Sequence, residues 1–501
     1  MQKLDPREIQ ARAVRGISWS TLSSVATLPL SIVVSVVLAH RLGTTGFARF
    51  ALLAFLVPLA TQVLDGGFWL AATRSTSRTF AAGELDATRD LLGKSVGFSL
   101  LKLPVVLVIV LSVARPGLGA ALALVAYFAV TYLGTGLSLA LSGENRISVL
   151  AKLAFLQALG SGGAAIGAAL LGAGAVGVYA ASLLGGAVSA PGLLLAANPA
   201  LRRAALRPRL PRALPDGFWR FGLLSLASSV AYLLVFSRSE IVVLDLLGSH
   251  RDVAVFALAY GLAQRLTTPV DTLLGPLIPA LAALDAVDGE RLRAGFERAL
   301  RIAAAGVAFL AGSAVVGTVY LAPVLFGSKY EGVGLAFAAL AGISLLQSAA
   351  HPYTALVYAL GRPWIAVRAL LVALVVDLGV AVALVPPLGI WGAIVANAAG
   401  ALTAVALAAR AVLGRGSVRR AGVRLVNLGL AAALAAECAL VAGATVTHVN
   451  ALLGALAAYA AGTVVFGLAA KFVGGLLPSG DADVIRRALP PRLAVLARAT
   501  L

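Results

Sequence analysis

Two long apolar segments that contain charged residues decide the fold of this chain. Residues 218–241 are FWRFGLLSLASSVAYLLVFSRSEI, and residues 253–279 are VAVFALAYGLAQRLTTPVDTLLGPLIP. Each segment exceeds the roughly 20 residues that a helix needs to cross a bilayer. A charged side chain is costly at membrane depth and is tolerated mainly where it faces a bundle interior or a water-filled cavity. These segments are therefore predicted to be membrane-spanning helices that line a polar pathway.

The rest of the chain has the composition of a polytopic membrane protein. Hydrophobic residues make up 60% and charged residues 12% of its 501 residues, which is outside the range of soluble globular domains. We therefore predict an all-α polytopic membrane protein with about 14 transmembrane helices. The predicted spans are residues 15–39, 50–73, 91–113, 118–141, 150–171, 175–197, 218–241, 253–279, 300–321, 332–357, 363–385, 388–409, 425–446 and 451–471.

The distribution of charge predicts the topology and excludes several functions. The net charge is +19, but the basic residues lie in short loops between spans and not on one face of a folded domain, so nucleic acid is not expected as a partner. Placing alternate loops in the cytoplasm puts most lysines and arginines there, as the positive-inside rule requires. Both termini are then cytoplasmic. Cys438 is the single cysteine, and the histidines lack metal-ligand spacing, so no metal or cofactor is predicted.

Loop motifs recur along the chain at a nearly constant offset. Leu42-Gly43 returns as Leu247-Gly248, and Gly83-Glu84 returns as Gly289-Glu290. The other matches join Gly143 with Gly361 and the turn 174–177 with the turn 389–392. A constant offset between equivalent loops indicates a tandem repeat. An even number of spans per repeat gives two parallel six-helix lobes, as in some secondary transporters, with two extra C-terminal helices outside the repeat.

The predicted domains follow from this repeat. An arginine- and proline-rich stretch between the lobes has the composition of a linker. The domains are a cytoplasmic N-terminal tail at 1–14, an N-lobe at 15–197, a basic cytoplasmic linker at 198–217, a C-lobe at 218–410, two further spans at 425–471 and a cytoplasmic C-terminal tail at 472–501.

Three basic residues are candidate substrate contacts in a cavity. Arg265 lies near the middle of its span, and a guanidinium pairs bidentately with phosphate or carboxylate. The alternative is a static ion pair with Asp271, Asp65 or another buried acid. Lys102, in the middle of span three, has the same two interpretations, although its long stem could also reach an interface. Arg74, at the inner end of span two, completes the set.

Four acids are candidate sites for proton or ion coupling: Asp65, Glu240, Asp271 and Asp377. Acids at membrane depth often mark such sites. Each has a simpler alternative, and for Asp271 it is the static ion pair with Arg265. Asp65 could neutralise Arg74, Glu240 could be solvated at the outer interface, and Asp377 could hydrogen-bond a neighbouring hydroxyl or backbone group.

Several short motifs recur in a known family. In the first half of the chain they are Gly16-Ile-Ser-Trp-Ser20, Arg41-Leu-Gly43 and Asp65-Gly-Gly-Phe68. In the second half they are Ser239-Glu240 and Leu277-Ile-Pro279. Together they resemble polysaccharide flippases of the multidrug/oligosaccharidyl-lipid/polysaccharide exporter superfamily, in which Asp is more usual than Glu240. The segment Ala263-Gln-Arg265-Leu266 is also similar to the eighth helix of lipid II flippases, whose matching arginine is implicated in recognising the pyrophosphate.

This resemblance implies a non-enzymatic transporter of the bacterial plasma membrane. It would move an undecaprenyl-pyrophosphate-linked oligosaccharide from the cytoplasmic to the outer leaflet by alternating access, for surface polysaccharide biosynthesis. Arg265 and Lys102 would attract the pyrophosphate. Partners would be the polyprenyl-pyrophosphate-linked glycan and membrane lipids, with a glycan polymerase and glycosyltransferases as further candidates.

Three alternatives stay open at this point. Two share the same fold: a lipid II flippase and a cation-coupled exporter of small molecules or drugs. The third is a membrane glycosyltransferase or glycan polymerase. Such enzymes generally need sizeable outward loops that carry acids or arginines, and the outward loops predicted here are short, which disfavours this alternative.

Overall fold

The computed structural model of the protein describes residues 6–144, 146–236, 239–274, 289–359, 363–412 and 418–473. Helices account for 90% of the structure, and no strand occurs within these ranges. The prediction of an all-α membrane protein is therefore confirmed.

Twelve helical segments in the described part of the chain are long and apolar enough to cross a membrane. The first of them, Ala26–Asp65, belongs to a helix in which the backbone leaves helical geometry at Gly43 (φ 64°, ψ −175°). It therefore corresponds to two predicted spans. Helix His250–Leu274 covers most of predicted span 253–279 but is not among the twelve. The prediction of about 14 spans is compatible with this arrangement.

The chain divides into two compact units, Met1–Leu233 and Leu234–Leu501. In the first unit the helices are α1 Pro6–Asp65, α2 Phe68–Ala82, α3 Leu85–Ala114, α4 Leu118–Leu133, α5 Thr135–Gly143, α6 Ile147–Leu170, α7 Ala175–Gly186, α8 Ala190–Ala196, α9 Pro199–Ala205 and the start of α10 Phe218–Phe236. Helix α1 packs along α6, and α4 packs on α7. One core cluster of this unit centres on Phe68, Leu92 and Phe218, and a second on Leu53 and Phe128.

The predicted outer loop at residues 40–49 is helical except at Gly43. Its polar composition suggested a loop, but Phe47 and Ala48 are 6% and 1% exposed. Burial of Phe47 and Ala48 stabilises the helix that follows Gly43, since tertiary packing outweighs local propensity.

Residues 198–217, predicted as a linker, lie within the first unit and are docked on α3. The Arg209 backbone N–H donates to the Gly93 carbonyl oxygen over 2.9 Å, and its guanidinium lies 2.9 Å from Asp90 Oδ1. A Cβ placed on Gly97 would lie 1.9 Å from the Arg209 carbonyl oxygen. The glycines of α3 therefore allow the segment to approach this closely.

The second unit contains the end of α10 and the remaining helices. They are α11 Ser239–Leu247, α12 His250–Leu274, α13 Gly289–Leu310, α14 Val316–Phe326, α15 Val333–Ala359, α16 Pro363–Leu388, α17 Ile390–Val412, α18 Val418–Thr447 and α19 Ala451–Val473. A π-helical turn, Ala311–Val315, joins α13 to α14. The two C-terminal helices pack on this turn, where a Cβ on Gly462 would lie 2.5 Å from the Gly312 carbonyl oxygen.

The repeated loop motifs coincide with helix boundaries in both units. Gly83 caps the end of α2 with φ 82°, and its counterpart Gly289 begins α13. Gly174 precedes α7 and Gly389 precedes α17. These recurring glycines therefore lie at helix boundaries, and the tandem repeat itself stays a prediction.

Candidate functional site

A cavity of about 510 Å³, lined by both polar and apolar side chains, lies within the first unit. Its charged lining residues are Asp65 and Lys102. It is also lined by the amide of Gln62 and by the rings of Trp69 and Tyr132. The lining serines and threonines are Thr61, Ser99, Thr131, Thr135, Ser138 and Ser229. Because the surrounding helices are membrane-spanning in length and composition, this cavity provides polar surface at membrane depth.

Asp65 is held by a break between two helices. Helix α1 ends at Asp65, and α2 begins at Phe68. Gly66 and Gly67 between them have φ of 60° and 73°, a left-handed conformation that glycine adopts without strain. This turn lets Asp65 Oδ2 accept a hydrogen bond of 2.8 Å from the Trp69 backbone N–H. The carboxylate thus satisfies one of the free N–H groups at the start of α2.

Gly67 also permits a close approach by another helix. A Cβ at this position would lie 1.9 Å from the Gly222 carbonyl oxygen of α10. Any other residue at position 67 would therefore force α10 away and adopt a strained backbone. The break that orients Asp65 is consequently fixed by packing as well as by backbone conformation.

Lys102 is the ion-pair partner of Asp65. The Lys102 ammonium donates a hydrogen bond to Asp65 Oδ1, and the side chains are 13% and 18% exposed. The ammonium nitrogen also lies 5.4 Å from the centroid of the Phe98 ring and 5.2 Å from that of Tyr132, which is within cation–π distance. In this structure the two charges neutralise each other beside the cavity.

Arg74 contacts an aromatic ring and not Asp65, the neighbour that the sequence suggested. Its guanidinium carbon lies 4.5 Å from the centroid of the Phe221 ring. The alternative in which Asp65 neutralises Arg74 is therefore wrong for this structure, because Asp65 pairs with Lys102. Arg74 was expected as the ion-pair partner of Asp65 because it is nine positions away in the sequence. The packing of α1 against α3 instead places Lys102, which is 37 positions from Asp65, beside the carboxylate.

Arg265 lies in α12 of the second unit and is partly buried. The preceding residue, Gln264, donates a 2.7 Å hydrogen bond to the hydroxyl of Tyr260, whose side chain is 1% exposed. The Asp271 side chain lies outside the described residues, so its predicted coupling role and its pairing with Arg265 stay predictions.

The second unit contains a buried polar cluster made of Glu240, Asp377, Asn397 and Ser239. The first three side chains belong to residues that are 0% exposed. Asn397 Nδ2 donates to Glu240 Oε1 over 2.6 Å, and Ser239 Oγ donates to Asp377 Oδ2 over 2.9 Å. A Cβ on Gly400 would lie 2.8 Å from Asp377 Cβ, so this glycine leaves room for the carboxyl group.

This cluster decides between two pairs of alternatives that the sequence left open. Solvation of Glu240 at the outer interface is wrong, because its side chain is fully buried. The hydrogen bond from a neighbouring hydroxyl to Asp377 is present, and Ser239 is the donor. Asn397 was missed. A single amide within the apolar span 388–409 was a signal that could have identified it, since such a group needs a partner in the membrane.

Three oxygens of the cluster lack hydrogen-bond donors among the described residues, and one of them is Asn397 Oδ1. Glu240 Oε2 and Asp377 Oδ1 are both buried and unsatisfied, and the two carboxyl groups are within interaction distance of each other. Two adjacent buried carboxylates repel strongly unless a proton or a cation lies between them. The cluster is therefore chemically suited to hold a proton or a cation between the two carboxyl groups. Within the described ranges, no group of three potential metal ligands occurs among His, Cys, Asp and Glu side chains.

Comparison with solved structures identifies the fold. The lipid II flippase MurJ in an inward closed conformation matches with a TM-score of 0.66 at 10% identity, over 91% of this chain and 98% of its own. An inward-facing multidrug resistance MATE transporter of the MOP superfamily matches with a TM-score of 0.58 at 18% identity, over 81% and 98%. A eukaryotic MATE transporter matches with a TM-score of 0.54 at 15% identity, over 83% of this chain and 98% of its own.

Sequence comparison identifies the family. No curated protein matches the chain. The family model described as "Polysaccharide biosynthesis protein" matches residues 37–334, which include the Asp65–Lys102 pair, Arg265 and Glu240. This match agrees with the family that the short motifs indicated. The chain therefore belongs to the polysaccharide biosynthesis protein family, and it has the helical fold of the MATE transporters and MurJ.

Proposed function

We propose that this protein is a flippase that moves an undecaprenyl-pyrophosphate-linked oligosaccharide from the cytoplasmic to the outer leaflet of a bacterial plasma membrane. The observation that supports it most is the cavity of the first unit, which has polar side chains in its wall and lies among helices long and apolar enough to span a membrane, in a chain of the polysaccharide biosynthesis family. An oligosaccharide headgroup cannot cross hydrocarbon unaided, because its hydroxyl groups would lose their hydrogen bonds to water. A polar cavity replaces those bonds.

The cavity has dimensions that suit part of such a headgroup. Its volume of about 510 Å³ falls within the roughly 300–1,000 Å³ typical of small-molecule pockets. The pyrophosphate is assigned to Arg265, whose planar fork matches phosphate oxygens. Lys102 and Arg74 are the second and third candidate cations. Alternating access of the cavity to the two leaflets would complete transfer of the headgroup.

Coupling to an ion gradient is proposed to use the acids. Glu240 and Asp377 are the strongest candidates, because both are fully buried and each has an unsatisfied oxygen. Asp65 and Asp271 are further candidates. Binding of a proton or cation would shift the equilibrium between conformations only if its affinity differs between them. We place both termini in the cytoplasm, and we propose a glycan polymerase and glycosyltransferases as partners.

Replacement of Arg265 tests the assignment of the pyrophosphate contact. We expect Arg265→Ala to reduce export of surface glycan about tenfold in a strain that lacks the gene, because a charge-assisted bidentate contact is worth roughly one factor of ten or more. Export is measured by labelling glycan on intact cells, with expression matched by immunoblot.

Arg368→Ala is the matched control for this experiment. Arg368 lies in the same unit and is exposed, with its guanidinium carbon 5.0 Å from the centroid of the Trp364 ring, so its loss should leave export unchanged. Full export by the Arg265→Ala protein would refute the role given to Arg265.

A cation-coupled exporter of small molecules is the second candidate function. The buried pair of Glu240 and Asp377 favours it as much as it favours a flippase. Greater accumulation of a fluorescent drug in cells that lack the protein, with normal surface glycan, would select this function. A lipid II flippase would instead be recognised by rescue of a strain depleted of that activity.

A further inference from the structure

Residues 198–217 carry an excess of positive charge at one surface of the membrane. They connect two helical segments that are long and apolar enough to span a bilayer, Ala175–Ala196 and Phe218–Val235, so the connection lies where both spans reach the interface. It contains five arginines and a single acid, Asp216. Clusters of roughly four to eight basic residues beside a membrane span attract anionic lipid headgroups. The segment therefore has the charge of a lipid-binding surface.

Three of these arginines are not used by the fold. The side chains of Arg203, Arg207 and Arg212 are exposed and form no hydrogen bond or ion pair with any residue that the structure describes. Arg209, in contrast, is paired with Asp90 of α3. The three exposed guanidinium groups thus keep their full charge for a partner outside the described chain.

The backbone that carries these arginines is held in place by α3. Besides the contacts of Arg209 described above, the Lys94 ammonium donates to the Ala213 carbonyl oxygen over 3.0 Å, and Arg89 Nε donates to the Ala200 carbonyl oxygen over 3.3 Å. These bonds fix the segment near both ends and in its middle. Because the backbone is already ordered, binding of a ligand costs less conformational entropy than it would for a flexible linker.

Exposed apolar side chains lie between the arginines and restrict the class of partner. Leu206 and Leu210 are 39% and 60% exposed, and Trp219, at the start of the next helix, is 42% exposed. Tryptophan is enriched at the boundary between membrane and water. A soluble polyanion would leave the two leucines in water, whereas a lipid offers phosphate at headgroup level and acyl chains directly beneath it. The combination favours a lipid.

We propose that residues 198–217 form a binding surface for anionic phospholipids. Arg203, Arg207 and Arg212 contact the lipid phosphates, which the planar guanidinium fork matches, and Leu206 and Leu210 reach the upper part of the acyl chains. The surface is separate from the cavity of the first unit and from Arg265. It is expected whichever molecule the protein transports.

Native mass spectrometry of the purified full-length protein tests the proposal. The probes are phosphatidylglycerol, which is anionic, and phosphatidylcholine with the same acyl chains, which is zwitterionic. We expect the wild type to bind phosphatidylglycerol about tenfold more tightly, and Arg203→Gln/Arg207→Gln/Arg212→Gln to lose most of this preference, since each basic residue near a lipid surface contributes up to roughly fivefold. Affinity for phosphatidylcholine should stay unchanged.

Two further variants separate charge from apolar contact. Arg41→Gln/Arg115→Gln/Lys329→Gln removes three positive charges at exposed positions outside the segment and should keep the full preference. Leu206→Ser/Leu210→Ser should weaken binding of both lipids several-fold and leave their ratio unchanged, because both lipids have the same acyl chains.

Thermal unfolding without added lipid should be the same for the arginine variant and the wild type, since the three side chains make no contact that the fold needs. If the triple variant unfolds earlier, Arg207→Gln alone carries the test, and it should lose a few-fold of the preference.

Equal binding of the two lipids by the wild type would refute the proposal and leave an acidic protein as the partner that the arginines fit. A full preference in the arginine variants, or an equal loss in the control variant, would also refute it, because net charge and not this segment would then select the lipid. Neither probe is the proposed transport substrate, so these results do not depend on the proposed function.

Discussion

Lys102→Ala is expected to destabilise the protein by about 3 kcal/mol, because it leaves the Asp65 carboxylate unpaired in a largely buried position. Asp65 is 18% exposed and, among the described residues, keeps only the hydrogen bond from the Trp69 N–H when Lys102 is removed. The double variant Asp65→Asn/Lys102→Met should recover most of the lost stability, since removing both members of a buried ion pair is often nearly neutral. Unfolding in detergent, followed by circular dichroism at increasing denaturant, measures the effect.

Lys152→Ala is the control for this comparison. The Lys152 ammonium lies 4.4 Å from the centroid of the Trp19 ring in the same unit and is exposed, so its loss should cost below about 1 kcal/mol. The account of the ion pair would be wrong if Lys102→Ala were no more destabilising than Lys152→Ala, or if the double variant were as unstable as the single one.

The second large effect is expected at the buried acids. Glu240→Gln and Asp377→Asn should each abolish the acceleration of transport by a proton or sodium gradient. Both substitutions keep an oxygen that can accept the hydrogen bonds from Asn397 and Ser239. They remove the negative charge that a proton or cation requires. Geometry is therefore retained, whereas ion binding is lost.

Transport in proteoliposomes with an imposed gradient measures this effect. Glu331→Gln is the matched control, because Glu331 is 84% exposed and lies 3.6 Å from Arg251. It should respond to the gradient as the wild type does. A Glu240→Gln/Asp377→Asn protein that still responds fully to both gradients would remove these residues from the coupling mechanism.

The sequence was sufficient for the features that are local or periodic. Long apolar runs identified the membrane spans, and recurring glycines identified helix boundaries such as Gly83 and Gly289. Single charges in apolar runs identified Asp65, Lys102 and Asp377 as residues of interest. In each case the signal is contained in a window of one helix, where hydropathy alone is informative.

Tertiary contacts account for what the sequence did not reveal. The pairing of Asp65 with Lys102 joins α1 to α3 through two residues that are 37 positions apart in the sequence. The full burial of Glu240 depends on the packing of α11 against α16 and α17. The docking of residues 198–217 depends on the glycine face of α3, which proline and arginine content does not indicate. Neither charge nor periodicity specifies such partners before the helices are packed.

The central claim is that this protein moves a lipid-linked glycan across the membrane without chemical change. Its most direct test uses purified protein in liposomes loaded with undecaprenyl-pyrophosphate-linked oligosaccharide, in which an added membrane-impermeant glycosidase cleaves only glycan exposed on the outer leaflet. We predict that cleavage rises with time from the roughly one half initially exposed towards completion, while mass spectrometry shows intact substrate in the remainder. Cleavage that stops at the level of protein-free liposomes, or formation of a new glycosidic bond when a sugar donor is added, would contradict the claim.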